Sequence, residues 1–92
     1  MIRVFVLYDA EPDAARYEQH AELCHKVPGA VFRHGRVFGA PRGEPEFRYY
    51  AEFEFPDREA FEAAAASEEF MTTGKDAREM GIPAHIGFAE VG

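Results

Sequence analysis

The chain has no tryptophan and a single cysteine, Cys24, among its 92 residues. One cysteine cannot close an internal disulfide, so the fold has to hold without a covalent staple. No apolar run approaches the roughly 18 residues that cross a bilayer. The N-terminus shows neither a basic stretch ahead of a long apolar one nor a cleavage site. These absences predict a protein of a reducing compartment, the cytoplasm, with no membrane segment. Positive charge is also scarce. Ten Lys and Arg stand against seventeen Asp and Glu, for a formal charge of −7, and affinity for phosphate comes from clustered cations. Nucleic acid and anionic membrane are therefore not expected as partners. The sequence contains no phosphate-binding glycine loop, dinucleotide fingerprint or serine nucleophile elbow, and no cofactor is expected.

What the chain does have is aromatic surface: nine Phe and four Tyr. That is more than one small core readily absorbs, so some of it is expected to meet a partner or a ligand. The length suits one domain, residues 1–92, and 47% hydrophobic with 29% charged residues is a globular composition. Charge is unevenly spread. Five bases (Lys26, Arg33, Arg36, Arg42, Arg48) stand against two acids (Glu44, Glu46) between positions 26 and 48. Two readings fit this basic edge: cations pairing with carboxylates across strands, or a surface that guides a small anionic ligand.

The order of elements is legible from periodicity and punctuation. Ile2 to Tyr8 alternates and is rich in β-branched and aromatic residues, which predicts a strand. Glu11-Pro12-Asp13 opens a helix that runs to about Val27 and is closed by Pro28-Gly29. A second strand is predicted over Ala30 to Phe38, a turn over Gly39 to Pro45, and a third strand over Phe47 to Phe55. Asp57 is a natural N-cap for a helix through Ala66. From Ser67 to Gly81 the pattern blurs: Ser67 could cap a further helical segment, Thr73-Gly74 could break it, and Gly81 with Pro83 suits a stop before a last strand over Ala84 to Val91.

The result is βαββαβ, a ferredoxin-like α+β fold with a four-stranded antiparallel sheet and both helices on one face. The first strand carries Ile2, Val4, Val6 and Tyr8 on one side but Phe5 and Leu7 on the other. Neither side is wholly suited to water, so a sheet-to-sheet homodimer is expected. In the central hairpin, one register sets Phe32 against Phe53, Arg33 against Glu52 and Phe38 against Phe47. Slipping it by one residue sets Arg36 against Arg48 and Phe32 against Glu52. Aromatic and opposite-charge pairs favour the first by up to about 1 kcal/mol each.

Tyr17, His20 and Cys24 are spaced i, i+3, i+7 on the apolar side of the first helix. Two readings stay open. Tyr and His are often half-buried and free Cys is commonly core, so the stripe could be ordinary packing with satisfied polar tips. Alternatively, three groups with acid-base or nucleophilic potential share the wall of a pocket. The predicted register places His34, Arg36 and Tyr49 on the sheet face beneath the helices, where they could share that pocket.

With this order in hand, His20-Ala21-Glu22-Leu23-Cys24-His25-Lys26-Val27-Pro28-Gly29 resembles the His-Ala-Pro-Leu-x-x-Lys-x-Pro-Gly segment of the EthD family, named for ethyl tert-butyl ether degradation. Gly43-Glu44-Pro45, Glu52-Phe53-Glu54-Phe55, Ala65-Ala66-Ser67 and Ile86-Gly87-Phe88 continue the likeness in order and spacing. Glu22 departs from it, standing where the pattern has Pro. The resemblance implies a dimeric α/β barrel, two protomers with facing sheets. It also implies a pocket between sheet and helices, the place where related barrels act as small-ring monooxygenases, lactone isomerases or haem enzymes.

A metal is not expected. His20 and Cys24 supply two ligands at most, whereas structural zinc takes four and catalytic zinc three plus water. What remains is His20 as general acid or base, since imidazole titrates near neutrality. Tyr17, Cys24, His34, Arg36 and Tyr49 are its expected neighbours around a small apolar or aromatic ligand. The expected activity is cofactor-free oxidation, isomerisation or other proton transfer on an aromatic, polyketide-like or lactone-like compound. The competing expectation is a non-catalytic dimer that binds a small hydrophobic molecule or assists a pathway enzyme.

Overall fold

Alternating β-branched and aromatic residues place Ile2–Tyr8 (β1) at the centre of the sheet, because both of its faces are apolar enough to be covered. The computed structural model covers Met1–Gly92. Its elements are β1, α1 (Ala14–Cys24), β2 (Val31–Arg36), β3 (Tyr49–Phe55), α2 (Arg58–Ala65), α3 (Glu68–Met80) and β4 (Ala84–Glu90). The sheet has the order β2-β3-β1-β4 with every pair antiparallel. This is the ferredoxin-like fold expected, with the second helical region resolved into two helices. The helical crossovers join strands that follow one another in sequence but are not neighbours in the sheet, β1 to β2 through α1 and β3 to β4 through α2 and α3.

Capping sets the helix starts. The Asp13, Asp57 and Ser67 side chains accept from the amides of Arg16, Ala60 and Phe70 at 2.9, 2.8 and 3.2 Å, each satisfying an orphan donor of the first turn. Gly81 ends α3 in the left-handed region, at φ 71°. Thr73-Gly74 does not break that helix. Thr73 turns its hydroxyl back to the Phe70 carbonyl at 2.6 Å, and one glycine costs only about 1 kcal/mol against alanine. The first helix stops at Cys24 rather than Val27. Its last turn tightens, the Lys26 and Val27 amides donating to Leu23 and Cys24, because Pro28 disfavours a helical Val27.

The hairpin register is the expected one: Phe32 pairs with Phe53, Arg33 with Glu52 and Arg36 with Tyr49. The Phe32 and Phe53 rings sit 4.9 Å apart, and Arg33 Nη1 donates to Glu52 Oε2 at 2.8 Å. The expected Phe38–Phe47 pair does not form. The ladder ends at Arg36 and Tyr49, Phe38 is 94% exposed, and the Phe47 ring packs on His85 instead. One further bond, from the Val37 amide to the Arg48 carbonyl, follows the last pair, while the Arg48 amide turns away to the Tyr8 carbonyl.

The core lies between sheet and helices. Val4 and Tyr8 of β1, Phe53 and Phe55 of β3 and Phe32 of β2 meet Tyr17, Ala21 and Cys24 of α1 and Ala64 of α2. On the opposite face, Glu52 is only 8% exposed. Arg33 and Tyr50 both donate to it, at 2.8 and 2.5 Å. Beside it Phe5 lies over Gly87, where a Cβ would come within 2.2 Å of the ring. No helix is long and apolar enough to cross a membrane.

Candidate functional site

Arg16 and His20 are four residues apart and so share one side of α1, and that side meets α3 at Asp76. His20 is 4% exposed, with Nδ1 2.8 Å from Asp76 Oδ2. Arg16 closes a fork on the same carboxylate, Nη2 to Oδ1 at 2.8 Å and Nη1 to Oδ2 at 3.2 Å. Arg16 first, and then His20, hold the Asp76 carboxyl below its usual range, while partial burial works against them. An ionised carboxylate only accepts, so Nδ1 carries a proton, and in the neutral imidazole Nε2 then presents its lone pair. That lone pair faces Cys24 Sγ at 3.4 Å. Burial, and then the charge of Asp76, push the Cys24 thiol up to about 12, so the sulfur stays protonated and donates weakly to Nε2. Cys24 is therefore not poised as a nucleophile.

His20 contributes to the wall of a cavity of about 520 Å³ between α3 and the β1–β4 side of the sheet. Val4, Val6, Phe53, Phe70, Ile82, Ile86 and Phe88 make most of the lining, with Tyr8, Thr73 and Arg78 as the other groups bearing polar atoms. Ile86 and Phe88 are each 64% exposed, so the cavity opens along the β4 edge. Size and lining suit a small, mostly apolar ligand oriented by few polar groups. Behind the cavity Tyr17 is the hub of an aromatic cluster. Its hydroxyl and that of Tyr8 are 3.0 Å apart, and its ring lies 4.9 to 5.3 Å from those of Tyr49, His34 and His20. No group of three or more His, Cys, Asp or Glu side chains is arranged to hold a metal ion.

No family model matches the chain, and no curated protein matches it. Solved structures do. An ethyl tert-butyl ether degradation (EthD) family protein from Bacillus halodurans is 26% identical, with 99% of this chain and 98% of that one covered at a TM-score of 0.81. The chain is EthD-like. A dimeric ferredoxin-like protein of unknown function from Jannaschia is 19% identical over 98% of both chains, at a TM-score of 0.75. SnoaB, a cofactor-independent oxygenase from Streptomyces nogalater, is 19% identical over 98% of this chain and 90% of its own, at 0.61. The last two likenesses concern the fold.

In this EthD-like chain the residues singled out by sequence fall into three places. His20 reaches the cavity wall. Tyr17 and Cys24, each 1% exposed, touch His20 but lie in the core behind it. His34 and Tyr49 are on the helix side of the sheet, as the register required, yet Tyr17 stands between them and His20. They pair with each other, Tyr49 Oη 2.6 Å from His34 Nδ1. Burial lowers the His34 pKa and raises that of Tyr49, so the phenol donates and the imidazole accepts. Arg36 lies apart in a shallow groove with Glu11, Glu44 and Arg48. Sequence reasoning missed Asp76, Phe70 and Arg78. All three sit in the segment where periodicity blurred, and no local spacing links Asp76 to a histidine 56 positions away.

Proposed function

We propose that the protein binds a flat, mostly apolar compound in the cavity and transforms it with His20 as general acid or base. Aromatic, polyketide-like and lactone-like compounds suit the lining, and cofactor-free oxidation or isomerisation suits a lone imidazole. One observation carries the reading: a buried imidazole, oriented by a carboxylate, in the wall of an otherwise apolar cavity. The Asp76 contact sets the tautomer, so that in the neutral ring Nε2 is the acceptor, and the S–H donor opposite it is weak enough for a ligand hydroxyl or acidic C–H to displace. Likeness in fold to a cofactor-independent oxygenase supports the reading. The protein works as a homodimer, with Phe5, Leu7 and the Glu52 cluster turned towards a second copy. A neighbour in fold is itself dimeric.

A second reading, binding without turnover, is favoured by the 3.4 Å approach of Cys24 to Nε2, which occupies the atom that chemistry needs. The two readings part on one variant. A panel of aromatic lactones and polycyclic phenols is offered in air, following oxygen uptake and absorbance. With a substrate found in this way, His20→Ala should lose about 100-fold or more in turnover while its circular dichroism and its binding of that compound persist. Turnover surviving in His20→Ala refutes the catalytic role.

A further inference from the structure

Arg78, solvent-exposed on α3, is the one permanently charged side chain lining the cavity, and it makes no hydrogen bond or ion pair with another residue. Of the other seven arginines, Arg36 and Arg42 likewise reach no carboxylate, but they lie outside this cavity. Arg3, Arg16, Arg33, Arg48 and Arg58 each reach a carboxylate. Arg78 cannot do so along its own helix: the positions three and four residues away are Gly74, Lys75, Gly81 and Ile82, none of them acidic. The nearby acid Asp76 is already held by Arg16 and His20. No Asp or Glu lines the cavity.

We infer that the cavity takes an apolar molecule bearing one oxyanion, a carboxylate, phenolate or enolate, which Arg78 receives while the apolar body lies against Phe70, Phe53 and Phe88. This rests on the cavity being the binding site and names the class of compound that enters it. A guanidinium is suited to the task because its planar fork matches two oxygens and stays charged at any working pH. The overall charge of −7 repels polyanions, so a single cation in an apolar wall selects a monoanion with a large hydrophobic part. An anion seated there also draws proton-transfer chemistry into a defined orientation, one end fixed at α3 and the other free to reach His20.

Two fluorescent probes with the same arylamine body test this: 8-anilinonaphthalene-1-sulfonate, an anion, and neutral N-phenyl-1-naphthylamine. Both are titrated into the full-length protein. Arg78→Gln should weaken the anionic probe about 10-fold and leave the neutral one within about 2-fold, as expected for a charge-assisted hydrogen bond at a half-open site. Arg78→Lys should restore most of the difference, and raised salt should weaken only the anionic probe. Equal weakening of both probes would make Arg78 a packing residue and overturn the proposal, as would no change in either. If neither probe binds the unaltered protein, the cavity reading falls and takes this inference with it. If the neutral probe binds and Arg78→Gln leaves the anionic one untouched, the cavity reading stands and only the anion inference fails.

Discussion

Asp76→Asn exchanges one carboxylate oxygen for an NH₂ group and should reverse the proton on His20. The arginine beside it has only donors, so in the variant Arg16 takes the amide oxygen through its shorter contact, the 2.8 Å one. The amide NH₂ is then left where Oδ2 stood, 2.8 Å from His20 Nδ1, and it donates. Nδ1 must accept, and the imidazole proton moves to Nε2. An NH₂ also faces Arg16 Nη1, formerly 3.2 Å from the carboxylate, so a charge-assisted fork becomes a partial donor-donor conflict. Losing a partly buried, charge-assisted bond costs about 1–3 kcal/mol, and each kcal/mol moves the melting temperature of a domain this size by about 4–8 °C. Because Asp76 titrates below its ordinary value in the fold, its contribution is full above about pH 4 and is lost as pH falls through the folded value. The stability gap between protein and variant should therefore close in acid. Long-range ¹⁵N–¹H spectra at pH 8, with the His20→Ala spectrum as assignment control, should show Nδ1 changing from the protonated to the unprotonated type. Turnover, once a substrate is known, should fall about 100-fold or more for want of a base at Nε2. An unchanged His20 spectrum in a folded Asp76→Asn protein refutes this tautomer argument.

The Tyr8–Tyr17 hydroxyl pair gives a second test. Tyr8→Phe orphans a hydroxyl sealed in the core, whereas Tyr17→Phe orphans one at the cavity wall that water can reach. Urea denaturation should find the first costlier, about 1–3 kcal/mol, and the double variant should cost less than the sum of the singles; additive costs would mean that the bond does not form. Assembly is tested by sedimentation equilibrium at micromolar concentration. An interface of roughly 2,000 Å² or more should hold a species near twice 10.4 kDa, and Leu7→Lys, on the open face, should disperse it. A 10.4 kDa species alone would refute the dimer.

Much of this protein is legible in its sequence alone. Strand alternation, the Asp57 and Ser67 caps and the Gly81 stop are local signals, set within a few residues by backbone sterics and orphan amides. Even the hairpin register followed from Arg33 and Glu52, because a one-residue slip would oppose like charges and bury the wrong face. The resemblance of the His20 to Gly29 segment to EthD proteins was legible for the same reason: it lies in one stretch of chain. Other features belong to the tertiary structure alone. Asp76 reaches His20 only because α1 and α3 lie side by side over the sheet, and Arg78 meets the cavity only because α3 continues through Thr73-Gly74 where the pattern suggested a break. Tyr17 shared the helix stripe with His20, but the packing of Tyr8 and Tyr49 around it made it core and shut His34 away from the cavity. Periodicity reports which face of an element avoids water; which partner that face meets is decided by how elements far apart in sequence cross, and that depends on the whole core at once.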